Sequence, residues 1–243
     1  MHAIQMRHTY ALIIPARNES ESIRSVLERV PHGLIFQVIV VDNGSVDRTA
    51  EVAAAAGAEV VSESARGYGR ACMSGLLQVH PSVTAIAFMD ADFSDNPEDL
   101  ARMVICFNEN QWDLVVGSRV LGSPELGSLT ALQRFGNWLS TQLIAIVWHV
   151  QFTDLGPLRI IRRDSLARLN MRDITFGWTV EMQARAAQLG LRVCELPVSY
   201  RRRLHGQSKV SGTICGSLRA GIRILWTILW CCLFPLEASS PKG

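Results

Sequence analysis

The chain has 243 residues, 48% of them apolar, and a formal net charge of +2. That length implies one large domain or a domain with an appendage, with enough apolar residues for a substantial core. The small net charge argues against a nucleic-acid partner.

Charge is concentrated locally instead, in Arg201, Arg202 and Arg203 with Lys209 nearby. The six cysteines have neither C-x-x-C nor zinc-type spacing. They read as buried thiols in a reducing compartment. The polar stretch 1–9 carries no signal-peptide pattern, so the expected location is cytoplasmic.

The predicted elements alternate over the first 120 residues. A strand over 10–14 is stopped by Pro15. Ile23, Val26, Leu27 and Val30 then recur at helical spacing within 21–30. A second strand, 38–41, runs into the turn cluster Asp42-Asn43-Gly44-Ser45. Asp47 is placed to cap a helix over 48–56 that ends at Gly57. Val60 and Val61 make a short third strand, and 69–80 a third helix.

The apolar run 85–89 is a buried strand that stops at Asp90-Ala91-Asp92. Two carboxylates one residue apart at a sheet edge are costly without a cation. A hard divalent ion shared with a substrate's phosphates explains them. A solvated turn leading into a helix cap is the plain alternative. Asn96-Pro97-Glu98-Asp99 then opens a helix, with proline at the first helical position and acids in the first turn. A strand over 114–116 ends in Gly117-Ser118-Arg119.

The second half is less regular. An apolar helix is expected over 132–150, a strand over 159–161 and a short helix capped by Asp164. A helix over 178–189 is stopped by Gly190, and 191–200 is extended, with Pro197 marking an edge or bulged strand. Segment 222–236 is apolar apart from Arg223 and Thr227, short of the roughly 20 residues of a membrane span. Arg219, Arg223, Trp226 and Trp230 suit an interfacial helix with basic anchors, and a core helix is the other reading. Residues 237–243 read as a disordered tail.

Strands alternating with helices give an α/β fold with a mostly parallel central sheet covered by helices on both faces. Ligands of such sheets bind at the carboxyl ends of the strands. Pro15-Ala16-Arg17-Asn18-Glu19, Asp42-Asn43, Asp90-Ala91-Asp92 and Ser118-Arg119 all follow strands, so four polar clusters converge on one rim. This convergence favours a functional site over a solvated turn. The dinucleotide fingerprint is missing, since Gly67-Tyr68-Gly69-Arg70-Ala71-Cys72 lacks the third glycine. No Walker loop or serine-hydrolase elbow is present, and hydride and P-loop chemistries drop out.

Eight stretches, IIPARNESESI, IVVDNGSVDRT, ARGYGRA, MDADFSDNPEDL, VVGSRV, TDLGPLRIIRR, FGWTVEMQARA and ELPVSYRRRLHGQSKVSG, occur in this order within residues 10–212. Together they resemble the family-2 glycosyltransferases, and within that family most of all the dolichyl- or polyprenyl-phosphate sugar synthase branch. The resemblance implies a GT-A fold over 1–212, followed by the apolar helical segment 213–236 and the tail. It also implies a nucleotide-sugar donor (GDP-mannose or a UDP-hexose), a Mg2+ or Mn2+ ion, and inversion at the anomeric carbon.

By motif position, Pro15, Arg17, Glu19, Val41, Asp42 and Asn43 bind the donor's nucleoside. Arg17 stands where the family often has tyrosine, and Asn43 where it usually has aspartate, which bears on the choice of base. Asp90, Ala91 and Asp92 match the family's D-x-D motif. Asp92 is the expected metal ligand, Ser94 a weaker one, and Asp90 meets the sugar or ribose. Asp95 stands where the family frequently has histidine, and its expected task is helix capping. Arg119 reaches a phosphate of donor or acceptor. Arg203 and Lys209 take positions around the pyrophosphate, and Gly206-Gln207-Ser208 let that loop close as a lid.

Negative charge grows on the β-phosphate of the leaving nucleoside diphosphate. The ion, Arg203 and Lys209 are placed to stabilise it. A phosphomonoester acceptor, with a second pKa of about 6, is largely dianionic at neutral pH and needs only cations, for which Arg119 and Arg134 are candidates. A hydroxyl acceptor needs a base. Glu181 stands where many family members place an acid near the acceptor, and Asp154 is a second acceptor-side candidate or a loop-structuring residue.

The favoured acceptor is a polyprenyl phosphate, because apolar segments 138–150 and 222–236 with flanking arginines suit peripheral contact with the cytoplasmic face of a membrane. A soluble hydroxyl acceptor is the alternative. A sugar-nucleotide pyrophosphorylase would require a glycine-rich nucleotide loop near the first strand, which PARNESES does not resemble. A non-catalytic nucleotide-sugar binding module would fit a broken metal site, yet both carboxylates are present.

Overall fold

Strands that are apolar at every position are buried on both faces, and here they form the centre of a seven-stranded sheet. The computed structural model describes residues 8–205 and 214–236. In chain order the elements are β1 (Tyr10–Ala16), α1 (Ile23–Leu27), β2 (Gln37–Asp42), α2 (Thr49–Ala55), β3 (Glu59–Ser62), α3 (Tyr68–Leu76), β4 (Ala85–Phe88) and α4 (Asp99–Asn110). There follow β5 (Leu114–Pro124), α5 (Ala131–Trp148), β6 (Arg159–Arg162), α6 (Arg163–Leu169), α7 (Trp178–Gln188), β7 (Val193–Tyr200) and α8 (Ile214–Leu233).

The strand order is β3-β2-β1-β4-β6-β5-β7. Six strands run in one direction, and β6 alone is antiparallel to both its neighbours. Alternation along β1 divides the core between the two faces. Leu12 and Ile14 pack with Ile23, Val26, Leu100 and Phe107 of α1 and α4. Ala11 and Ile13 pack on the other face with Cys72 of α3 and with Trp178 and Met182 of α7. A third cluster, with Ile144, Val180 and Ile228, joins α5, α7 and α8. No described helix is long and apolar enough to cross a membrane.

Several boundaries differ from the sequence expectation, each for a physical reason. Pro15 lies inside β1, because its missing N–H falls beyond the last β4 partner, Ile13↔Phe88, while β2 continues alongside to Asp42. β5 runs on to Pro124 because β7 pairs along it, with a register shift between Ser118 and Ser123. Edge strand β7 accommodates Pro197 beside that irregularity, as its proline suggested. Asp47 accepts the Thr49 N–H at 3.1 Å and so caps α2 from just outside it. α4 starts at Asp99, preceded by a turn in which Asn96 O accepts the Asp99 N–H. α5 opens with a full capping box between Thr130 and Gln133. α8 runs from Ile214 to Leu233, inside the expected helical segment 213–236.

Candidate active site

The shared direction of six strands puts the ends of β1, β2, β4, β5 and β7 on one edge of the sheet. Reversed β6 brings its amino-terminal approach, 153–158, to that same edge. Side chains from distant parts of the sequence meet there. Arg203, just after β7, donates from Nη1 to Glu19 Oε1 at 2.5 Å and from Nη2 to Asp92 Oδ2 at 2.8 Å. Its backbone is stitched beneath: Arg201 N–H reaches Ser94 O at 2.8 Å and Leu204 N–H reaches Asp92 O at 3.2 Å. Tyr200 also bridges Asp95. Burial alone would lower the Arg203 pKa, but Asp92 and Glu19 raise it, so the guanidinium is a fixed cation between them.

Three carboxyls crowd this end of β4. Asp92 and Asp95 are buried, and Asp90 is partly so. Asp92 Oδ1 accepts the Ser94 N–H at 2.9 Å, and Asp95 Oδ2 the Asp90 N–H at 3.3 Å. One oxygen each of Asp90 and Asp95 is buried with no hydrogen-bond partner. Burial, followed by the Asp92 charge, pushes the Asp90 carboxyl up to about 7. Burial and the charges of Asp90 and Asp92 push Asp95 well above the carboxylate range. Asp95, expected as a helix cap, instead supports the Asp90 turn.

The β5 end carries a second cation. Arg119 makes a bidentate pair with Asp154, Nε to Oδ2 and Nη2 to Oδ1, both at 2.7 Å, and its N–H reaches Oδ2 at 2.8 Å. Burial would lower the Arg119 pKa, but the Asp154 charge holds it above the ordinary arginine value. The guanidinium lies 4.9 Å over the Tyr200 ring. Asp154 is itself held by Glu195 of β7, which accepts the N–H groups of Thr153 and Asp154.

Other sequence candidates sit as follows. Asp42 Oδ1 accepts the Ser45 N–H, three residues on, at 3.2 Å and so closes the turn after β2. Asn43 accepts the Gly67 N–H and donates to the carbonyls of Glu63 and Ala65, tying β2 to the loop before α3. Val41 and Ala91 are buried in the core. Pro15 and Arg17 are partly exposed at the rim, and Arg17 Nε is buried without a partner. Glu181 is buried, and both its oxygens accept backbone N–H groups of Arg172 and Asp173. Burial raises its pKa. Arg134 is exposed on the first turn of α5, with no ion pair among the described residues. Lys209 and 206–208 lie outside the described residues, as does the 237–243 tail.

Three supporting residues escaped the sequence reading. Glu195 is one. Arg159 of β6 is fully buried and donates to the carbonyls of Gly156, Leu155 and Thr179, and burial lowers its pKa to about 10. Tyr68, at the start of α3, is partly buried within the electrostatic reach of Asp90. The available signal for Arg159 was a charge at the start of a short strand whose centre, Ile160-Ile161, is apolar.

The oxygen donors suit a hard divalent ion. Asp90 and Asp95 offer orphaned oxygens, and Asp92 and Ser94 lie on the same turn. No three His, Cys, Asp or Glu side chains among the described residues form a ready-made cage. Such a donor set fits an ion held by one or two carboxylates and completed by a substrate's phosphates.

This sheet, with its carboxylates and cations on one rim, defines a GT-A glycosyltransferase fold. A crystal structure of glucosyl-3-phosphoglycerate synthase from Mycobacterium tuberculosis, in complex with Mn2+, uridine-diphosphate-glucose and phosphoglyceric acid, superposes with a TM-score of 0.75. It is 21% identical, and the match covers 95% of this chain and 82% of that one. The model of glycosyl transferase family 2 matches residues 11–169. An uncharacterized glycosyltransferase of M. tuberculosis is 37% identical over 219 residues, 90% of this chain and 96% of the relative. An undecaprenyl-phosphate mannosyltransferase of Micrococcus luteus is 31% identical over 216 residues, 84% and 88% of the respective chains. The chain belongs to glycosyl transferase family 2 and is a glycosyltransferase.

Proposed function

We propose that the protein moves a hexose from a nucleoside-diphosphate sugar, GDP-mannose or a UDP-hexose, to a polyprenyl phosphate at the cytoplasmic face of a membrane. The observation that carries the donor half is Arg203 bridging Glu19 and Asp92, because it gathers the β1, β4 and β7 ends around one small volume. Asp92, with Ser94 beside it, would hold a Mg2+ or Mn2+ ion. When bound, that ion supplies positive charge to the diphosphate. Pro15, Arg17, Glu19, Asp42 and Asn43 surround the nucleoside in this reading, and Asp90 meets the sugar. Arg203 exchanges its carboxylate partners for the departing β-phosphate, and Lys209 joins it.

The bond from the anomeric carbon to the β-phosphate oxygen breaks as a bond to an acceptor phosphate oxygen forms on the opposite face. The acceptor is dianionic above a pKa of about 6, so no base is needed. Arg119 is the candidate cation at its phosphate, and Arg134, exposed on the first turn of α5, is the second. Asp154 then acts on the acceptor side by positioning Arg119.

Two observations support a lipid acceptor. The Micrococcus relative is named for undecaprenyl phosphate, and α5 and α8 expose Phe135, Trp138, Ile146, Trp226 and Leu229. The backbone N–H groups that occupy Glu181 also fit chemistry without a general base. The second reading is a soluble acceptor with Glu181 as base, favoured by the phosphoglyceric acid in the fold neighbour.

Product analysis tests both. A panel of nucleotide sugars, with and without Mn2+, is offered polyprenyl phosphate or soluble acceptors. Sugar on the lipid phosphate, metal-dependent and abolished by Asp92→Ala, is the expected result. Sugar on soluble acceptors alone, with near-complete loss in Glu181→Gln, would establish the second reading.

A further inference from the structure

A crevice of 430 Å³ opens between the segment that follows α6, the end of α7 and the end of α8, and no rim residue lines it. Two arginines dominate its wall. Arg185 of α7 is 1% exposed. Its Nη1 donates to Gln188 Oε1 at 2.9 Å and to Phe234 O at 2.7 Å, and its Nε is buried with no partner. Arg172 is exposed at the mouth. The Arg185 and Arg172 guanidinium carbons lie 4.9 and 5.9 Å from the Trp230 ring centre. Among the described residues no acid lines the crevice and neither arginine is in an ion pair, although Asp173 and Glu181 line the neighbouring hollow that shares Arg172 and Trp230. The acids behind it are engaged: Asp173 holds Arg223 and Thr227, and Glu181 holds the backbone of Arg172 and Asp173. The Arg185 guanidinium feels the Glu181 carboxylate one turn earlier on α7, but its Nε has no hydrogen-bond partner, and a buried donor left unmade is costly. Guanidinium forks suit phosphate oxygens.

The surroundings indicate where the phosphate comes from. Leu225, Trp226, Leu229, Leu233 and Phe234 are exposed along α8, and Phe234 lines the crevice itself. Tryptophans and basic groups beside an apolar stripe match a bilayer surface, where headgroup phosphates lie just above the acyl region. A free anion needs no such apolar border.

We propose that this crevice binds the phosphate of an anionic phospholipid headgroup and seats α8 on the membrane. The inference builds on the reading that the enzyme works at a membrane, but it concerns attachment and not the acceptor site.

The test is co-sedimentation of the whole chain with vesicles of phosphatidylcholine alone, or with phosphatidylglycerol added, without polyprenyl phosphate or nucleotide. The wild type is expected to prefer the charged vesicles at least fivefold, since one basic residue at an anionic surface contributes about 1 kcal/mol, a factor of about five. Arg172→Glu should remove that preference. Arg48→Glu, an equal charge change on the exposed start of α2, should keep it within twofold.

Equal binding to both vesicles, or equal loss in the two variants, would overturn the proposal. So would phosphate binding by calorimetry that Arg172→Glu abolishes without any vesicle preference, which would indicate a free anion. A dimer in vesicle-free buffer that Arg172→Glu dissociates would assign the crevice to a second copy and also overturn it. Vesicle preference without sugar transfer to polyprenyl phosphate would instead count against the acceptor assignment alone.

Discussion

Arg119 and Asp154 form the best-buried ion pair of the rim, with side chains 13% and 1% exposed. Removing one member of such a pair leaves the other charge uncompensated, which costs about 3–5 kcal/mol. Asp154→Ala should therefore lower the thermal midpoint by roughly 6–20 °C, at about 2–4 °C per kcal/mol for a chain of this size. Calorimetric melts would show it, and an unchanged midpoint would mean that the pair is not maintained in solution. At this scale the sequence revealed the groups that carry chemistry better than those that hold them. Asp90 and Asp92 stood out because an apolar run ended in them. Glu195 did not, because a carboxylate in a strand near an edge proline looks like a solvent-facing residue. Only the reversed direction of β6 brings the Thr153 and Asp154 N–H groups to it.

Between elements, α3 and the segment before α7 are held in a close backbone contact. Gly69 N–H reaches Thr175 O at 3.1 Å, and Arg70 N–H reaches Ile174 O at 3.0 Å. A Cβ on Gly69 would lie 2.0 Å from Asp173 O, so only hydrogen fits. Gly69→Ala must separate α3 from this segment, an overpacking penalty of about 1–3 kcal/mol. Its melting point should fall by roughly 2–12 °C, and donor affinity should weaken because Tyr68 and Asp90 lie beside the displaced turn. Wild-type values for both would disprove the contact. The sequence displayed α3 and the glycines around Tyr68, which entered as a failed dinucleotide fingerprint and as part of the ARGYGRA stretch of the family resemblance, without a structural task. Close backbone approach is a tertiary property, and nothing local marks the partner at 173–175. The strands were legible for the opposite reason, since each is a short apolar run bounded by turn residues. Misjudged ends, such as Pro15 and the long β5, depended on how far a neighbouring strand continued.

Across the whole molecule, buried acids set the pH response. Burial is the leading cause that raises Asp95, Glu181 and Glu195 above their ordinary values. The folded protein therefore holds protons that the unfolded chain releases near pH 4–4.5. Stability from these groups is fully present below that range and is lost as pH rises through the raised values. The thermal midpoint should fall between pH 5 and pH 7.5, and by less in Glu195→Gln than in the wild type. An equal or larger fall in the variant would contradict the assignment of Glu195. The lone reversed strand has a different consequence, for descent. Glu19, Asp42, Asn43 and the β4 carboxylates all come from the first 95 residues, whereas Arg119, Asp154 and Glu195 come from later in the chain. In the proposed reading the first group serves the nucleotide and the second the acceptor. Because β6 reaches the rim from the opposite direction, the later group can be lengthened or reshaped without disturbing the pairing of β1, β2 and β3. Such a chain can acquire a new acceptor in one lineage while the nucleoside-binding strands are inherited intact, provided Arg203 still reaches Glu19 and Asp92.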